Sequence, residues 1–493
     1  MSVQPVGADL TRLDAQGDRS RAHRVRRLAG LTVGLVVVRT AALLLSSLAS
    51  AKPRHEHARS HSGSVGQLDP GLALRWYDIT DQTVQAAAFA EPVTQSRTWS
   101  VSWLAAARAI RHRRGPRYDT AAFAQALHDT LAAQVPSQQT QLDADLASTL
   151  AAVPDGIAKQ DGLASGKQQA AATLAERQGD GLDTASVDVP FTPPAPGPGV
   201  WQPTPPSYAP AVRAGEGRAR PFLLAANDQF DPGPPPSLRS QTYLTDLAEV
   251  RGYGSATSTA RTLEQTDVAK FWEPAINIQY VQILRGVLAD TQRPLGWQAR
   301  FVAAFNVITT DAQIAIYNAK FKYLFWRPVT AIRTGSVAPD PGWTPLFTTP
   351  RHPDWLSGHG GVAGAAQAVL TAFLGPFAPA PIDVTSPTDP GSTHTYRSWA
   401  QITREVIDAR VWEGIHFRFS DVTGASVGTG GWPCSVHGRS RRLARFRPED
   451  PVGGKRPSLW TGARRTSLNS AAAPASRLLR STRAPPTPRA CSP

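Results

Sequence analysis

Residues 351–360 read "RHPDWLSGHG" and run directly into "GVAGAAQAVLTAFLG" (361–375). A polar turn opening onto a run of small apolar residues marks a helix start, and Ser357 is of the type that caps one. The first N–H groups of a helix have no partner within it, and its dipole is positive there, so such a start attracts an anion. Ser357 and the Gly358 N–H can donate to an oxyanion, and His359 can hold or release a proton. A Ser-Gly-His turn by itself decides little. What it means depends on whether the chain brings cations to the same place.

Cations of the right kind stand in "AKFKYLFWRP" (319–328). Lys320 and Arg327 are about two helical turns apart, so a continuous helix projects both from one face. Pro328 disfavours helix at Arg327 and ends the element there. Two long cations on one face are ordinarily a solvated stripe. Here Phe321, Tyr323, Leu324, Phe325 and Trp326 surround them, and a cation in apolar surroundings needs a carboxylate or a ligand as its anion. Further on, "REVIDARVWEGIHFRFSD" (404–421) puts Arg410 late in a helix, Gly414 at its end and His416 in the turn beyond. Alone, His416 reads as a packed core histidine. With the other two segments it becomes part of a set.

Lys320-x6-Arg327-Pro328, Ser357-Gly358-His359 and Arg410-x5-His416 resemble, in order and spacing, the signature of the type 2 phosphatidic acid phosphatase superfamily, which includes the vanadium-dependent haloperoxidases. The stretches "WYDITDQTV", "TQSRTWSVSWLAAARA", "FWEPAINIQ" and "ARVWEGIHFRFSD" extend the resemblance to the soluble bacterial haloperoxidase-like branch over residues 73–424. The resemblance implies an all-α helical-bundle domain of the haloperoxidase/acid phosphatase type. It implies a site for vanadate, with phosphate as the alternative occupant, in which Lys320, Arg327 and Arg410 neutralise the oxyanion while Ser357 and Gly358 donate to it. His416 would be the protein ligand to vanadium and His359 the acid/base. Hydrogen peroxide and a halide would be the substrates, with a small organic acceptor downstream. On the phosphatase side of the superfamily the same His416 would be a nucleophile passing through a phosphohistidine, and His359 would protonate the leaving alcohol. A degenerate oxyanion-binding protein is the non-enzymatic alternative.

Three features favour the peroxidase side. The superfamily's lipid phosphatases span membranes several times, whereas no run of about 18 apolar residues follows Ala51. The chain is longer than a compact acid phosphatase needs. His352 stands seven residues before His359, as in the bromide-using branch, although a polar turn residue is an equal reading of it. Two positions depart from the family pattern. Leu356 replaces the proline before Ser-Gly-His, which relaxes the turn. Ser420 stands where an acid would orient His416, leaving Asp421 or Asp408 to replace it.

Around these segments helical spacing prevails, in "WSVSWLAAARAIRH" (99–112), "DTAAFAQALHDTLAAQV" (119–135) and "GWQARFVAAFNVITTDAQIAIYNAKFKYLFWRP" (296–328), and strand-like alternation is scarce. Fourteen prolines between Pro190 and Pro236 predict an extended connection within one domain.

The net charge of +14 resides at the ends. Six arginines face three aspartates in residues 1–27, and thirteen Lys/Arg face two acids from Arg439 onward, leaving 28–438 formally neutral. No nucleic-acid partner follows from such a distribution. Both cysteines, Cys434 and Cys491, lie in the basic tail, so residues 73–424 offer neither a thiolate nor a disulfide. The N-terminus has a basic segment, an apolar stretch (28–48) and a small-x-small end at Ala49–Ala51. These predict an export signal, with a single membrane anchor as the alternative and Arg39 weighing against both. The expected organisation is a signal peptide or anchor (1–51), a linker (52–72), a helical domain (73–424) with a Pro-rich insertion (186–240), and a disordered basic tail (425–493). The Arg/Pro/Ser text of that tail also fits a shifted reading frame.

Overall fold

The computed structural model describes residues 69–110 and 114–430. The expected signal or anchor, the linker up to residue 68 and the tail from residue 431 lie outside the described residues. Before the Pro-rich stretch come α1 (Leu72–Ala87), α2 (Pro92–Ala109), α3 (Pro116–Gln134), α4 (Gln139–Ala151), α5 (Ile157–Glu176) and the single turn α6 (Thr184–Val187). After it come α7 (Gln241–Tyr253), α8 (Leu263–Phe271), α9 (Asn277–Asp290), α10 (Leu295–Tyr323), α11 (Pro328–Thr334), α12 (Gly358–Leu374), α13 (Trp399–Trp412) and α14 (Arg418–Thr429). Among the described residues no helix is long and apolar enough to cross a membrane.

α10 holds the two groups of helices together. It is apolar nearly all round and buried along most of its 29 residues, which is the pattern of a central helix. It packs on α2 from the first group and on α12 from the second. The seam between α12 and α14 explains the small residues after Ser-Gly-His. A methyl on Gly364 would lie 2.1 Å from the Ala425 carbonyl oxygen, and one on Gly428 2.2 Å from that of Gly361. Only glycine lets the two backbones approach this closely.

The all-α expectation holds with one addition. An antiparallel hairpin, β1 (Phe377–Ser386) and β2 (Asp389–Ser398), sits between α12 and α13, with Ile382 opposite Tyr396 and Val384 opposite His394. Pro379, Pro381 and Pro390 obscured its alternation in the sequence, yet they are tolerated because a two-stranded sheet leaves each strand an open edge.

The Pro-rich connection is packed, not loose. Trp201 is fully buried, its backbone N–H donates to Leu324 O (2.7 Å), and the backbone N–H of Trp326 donates to Gly199 O (3.0 Å). The Asp311 carboxylate of α10 accepts the N–H groups of Phe222, Leu223 and Leu224 at 2.6–3.0 Å, pinning the far end of the crossing.

Two expectations are corrected. α10 stops at Tyr323 because Leu324 takes a left-handed conformation (φ 50°), and a new helix, α11, starts at Pro328, where a missing N–H costs nothing. Lys320 and Arg327 therefore do not share a helix face. The tail was also placed too early. α14 runs to Thr429, with Ala425 and Val427 buried, so residues 425–429 belong to the helical domain.

Candidate functional site

The three motif segments meet. Arg327 caps α11 without exposure to water and reaches both other segments. Its Nε donates to His352 O (2.8 Å), Nη1 to Ile415 O (2.7 Å) and to His416 Nε2 (3.1 Å), and Nη2 to His352 Nδ1 (3.0 Å). Lys320, at the end of α10, is equally buried and donates to the carbonyls of Pro353 (2.7 Å) and Asp354 (3.0 Å). Arg410, in the last turn of α13, donates through Nη1 to Trp272 O and to Glu413 Oε1, both at 2.8 Å, while its buried Nε has no partner.

These contacts fix the histidine tautomers. A guanidinium can only donate, so His416 Nε2 must accept and its proton sits on Nδ1. Asp354 Oδ1 takes that proton's hydrogen bond at 2.7 Å. The carboxylate that orients His416 is thus Asp354, from the "RHPDWLSGHG" segment, and neither Asp421 nor Asp408. Asp408 pairs with Arg418 (2.7 Å), and both Asp421 carboxylate oxygens are buried without a hydrogen-bond partner. Ser420 supports the arrangement by donating to Asp354 O (3.1 Å). His359 Nε2 lies 3.0 Å from Pro274 O, which can only accept, so Nε2 carries the proton and Nδ1 keeps its lone pair. His352 accepts at Nδ1 from Arg327, and its Nε2 meets the Tyr317 hydroxyl at 3.1 Å.

Burial dominates the charge in this volume. Burial drives Lys320 well below the usual lysine range, with Arg327 adding to it, and lowers Arg327 to about 10. His416, His352 and His359 are all driven well below the ordinary imidazole range, first by burial and then by the neighbouring cations. The imidazoles are therefore neutral. Burial raises the carboxyls too: Asp354 to about 6, and Glu413 and Asp421 well above the carboxylate range. Burial thus works against charge on the lysine, the histidines and the carboxyls alike.

Ser357 caps α12, its Oγ accepting from Gly360 N–H (3.2 Å), and its own N–H donates to Ser420 O (3.1 Å). Leu356 is buried, so packing and this bond hold the turn where the family has proline. A cavity of about 110 Å³ is lined by His352, Gly358, His359, Arg410 and His416. Lys320, Arg327 and Ser357 are fully buried and do not form part of its lining.

Besides Asp354, sequence reasoning missed Arg213. The Pro-rich crossing brings it to the cavity wall, where its guanidinium lies 4.0 Å from the Tyr317 ring centroid and its Nε and Nη2 bond Glu216 at 2.6 and 2.9 Å. No local spacing announces that contact. An arginine and an acid three residues apart inside a Pro-rich stretch were the one available sign.

A tetrahedral oxyanion fits these residues. Arg410 offers an unused buried N–H, His416 has one nitrogen locked as an acceptor by Asp354, and Lys320 and Arg327 are buried close by. The donor set is one imidazole among cations. Among the described residues no cluster of three or more His, Cys, Asp or Glu side chains is arranged to hold a metal ion.

Comparison with known proteins bears on the fold. Residues 300–431 match the family described as the VCPO second helical-bundle domain. The fold is similar to that of a solved structure described as the first bacterial vanadium-dependent iodoperoxidase, with 22% identity, a TM-score of 0.63, and coverage of 77% of this chain and 96% of that one. It is also similar to the apo form of a bacterial vanadium-dependent chloroperoxidase (17% identity, TM-score 0.55, covering 71% and 93%) and to a holo form (17%, 0.55, covering 77% and 94%). No curated protein matches the chain.

Proposed function

We propose that this chain, whose residues 300–431 carry the second helical bundle of the vanadium haloperoxidase superfamily, is an exported peroxidase that oxidises a halide with hydrogen peroxide at a histidine-held vanadate. The observation that carries the reading is the His416 imidazole. Asp354 holds its proton on Nδ1, and the opposite nitrogen is directed among buried cations. Lys320, Arg327 and Arg410 would neutralise the oxyanion, Gly358 N–H and Ser357 would donate to it, and His416 Nε2 would be its ligand. Vanadate held there would supply the Lewis acidity that activates peroxide toward halide.

The chain's own groups do the rest. His359, neutral and with its Nδ1 lone pair free, takes a proton from incoming peroxide and returns it to the departing oxygen. Asp354 keeps His416 in the binding tautomer throughout. His352, held between Arg327 and Tyr317, lines the same cavity on the side we assign to halide.

Halide-dependent peroxide consumption by the purified chain, with and without added orthovanadate, tests the proposal. Activation by orthovanadate is expected, with His359→Ala losing turnover. Phosphatase activity inhibited by orthovanadate would move the chain to the other side of the superfamily, because vanadate mimics a phosphoryl transition state. Binding without either activity would leave an oxyanion-binding protein.

A further inference from the structure

Two residues of the site are held by one short loop. Arg410 Nη1 donates to Trp272 O (2.8 Å), and His359 Nε2 donates to Pro274 O (3.0 Å). The loop, residues 272–274, follows α8 and lies outside the three motif segments. Whatever fixes this loop therefore helps to position the site. Trp272 is fully buried, and α13 grips it at both ends. Its carbonyl accepts from Arg410, while its indole Nε1–H donates to Glu405 Oε1 (3.0 Å). Glu405 and Arg410 are five residues apart on α13, about 7.5 Å along the helix axis, a distance that one tryptophan can bridge.

The Glu405 carboxylate is itself fixed. The same Oε1 accepts from the Tyr396 hydroxyl and meets His394 Nδ1, both at 2.6 Å. His394 stacks on Phe271, with ring centroids 3.8 Å apart and planes within 3°. Burial would raise this carboxyl, yet the hydrogen bonds from His394, Tyr396 and Trp272 hold it below the ordinary glutamate range. It stays ionised, whereas burial pushes Glu413 and Asp421 well up. A charged acceptor holds an N–H more firmly than a neutral one. His394 and Tyr396 both lie on β2, so the hairpin between α12 and α13 backs this clamp.

We infer that Glu405 and Trp272 are positioning residues for the oxyanion: their clamp fixes Arg410 with Nη1 engaged by protein and the buried, unpartnered Nε left for the guest. Neither residue lines the cavity, so both act through Arg410. Without the Glu405 bond the Trp272 carbonyl loses its fixed direction. A guanidinium is a rigid planar fork, so a shift at Nη1 also redirects Nε. The inference rests on the oxyanion site of the proposed function and not on its peroxide chemistry.

Titration calorimetry of orthovanadate into variants of the full chain tests the clamp. Trp272→Phe and Glu405→Leu should each weaken binding at least about fivefold, the effect of one lost hydrogen bond. Glu405→Gln keeps an acceptor oxygen and should stay within about twofold of wild type. Thr388→Val releases the bond from Thr388 Oγ1 to Lys270 O (2.6 Å), just before the loop, and should bind as wild type does because the clamp is intact. In the Arg410→Met background, Glu405→Leu should bring no further loss. Thermal melts show which variants fold, and Trp272→Phe against Glu405→Gln decides should Glu405→Leu not fold. Equal affinity in wild type and the clamp variants, a matching loss in Thr388→Val, or additive losses with Arg410→Met overturns the inference and leaves the proposed function standing. Orthovanadate binding without halide-dependent peroxide consumption removes the proposed function and leaves the clamp. No binding in wild type overturns both.

Discussion

Two groups of buried or half-buried arginines show what separates a structural ion pair from a site. In the first helical group, Arg97 and Arg177 share Asp180. Arg97 Nε lies 2.9 Å from both carboxylate oxygens and Arg177 Nε 3.1 Å from one of them, and Leu182 N–H adds a further donor. Their remaining nitrogens end on Gln134 and on the carbonyls of Arg177, Pro221 and Arg220. Every donor has an acceptor, and the cluster is closed. Around the cavity, Lys320 and Arg327 end on carbonyls and neutral imidazoles, Arg410 ends on the Trp272 carbonyl and the Glu413 carboxyl, Arg410 Nε and Asp354 Oδ2 have no partner, and burial pushes Glu413 well above the usual carboxylate range. The same residue types are left incomplete there. A cluster in which each donor nitrogen is paired serves stability, and one with buried polar atoms left unpaired is built for a guest.

The contrast can be broken at either end. Asp180→Ala strands two cations and should cost about 3–5 kcal/mol in urea unfolding. Arg410→Met removes a donor that was already half unsatisfied and should cost under about 2 kcal/mol; equal losses would erase the distinction. Ligand response should divide the other way. At a hundredfold excess over its dissociation constant, orthovanadate should stabilise wild type by about 2.7 kcal/mol in thermal melts. That gain should shrink in Arg410→Met, whose affinity falls at least about tenfold, and persist in Asp180→Ala.

Gly364→Ala sharpens the comparison from the backbone. Its methyl meets the Ala425 carbonyl, so unfolding free energy should drop by about 1–3 kcal/mol. Orthovanadate should bind more weakly as well, because α12 and α14 flank the Ser357 turn. Unchanged stability would show that the two helices can part without cost.

The smallest effect concerns Glu216, beside Arg213 at the cavity wall. Burial pushes it up to about 7 even against that arginine. The folded chain therefore keeps a proton that the unfolded chain releases near its ordinary value of about 4.3. The linked stability is fully present below that value and is lost as pH rises toward 7. Glu216→Gln should flatten the slope of melting temperature against pH over this interval, and an unchanged slope would assign the dependence elsewhere.

The division between the two clusters also marks what the sequence could show. Lys320, Arg327, Ser357, His359, Arg410 and His416 were legible because each lies in a short segment whose internal spacing is set by a helix end. The mostly helical character and the Gly414 turn followed from periodicity and terminators. Asp354 was hidden because its partner is 62 residues away and joins it only once both loops fold. Arg213 arrives on a stretch with no periodicity to read. The shared face of Lys320 and Arg327 failed because one left-handed residue, Leu324, breaks a helix that the apolar pattern would continue.

The central claim is that these buried cations are completed by an anion held at residue 416. Titration calorimetry of orthovanadate into the wild-type chain and into His416→Ala tests it most directly. The account predicts one saturable site in the wild type and its loss in the variant. The same affinity in both proteins, or no heat in either, would contradict it.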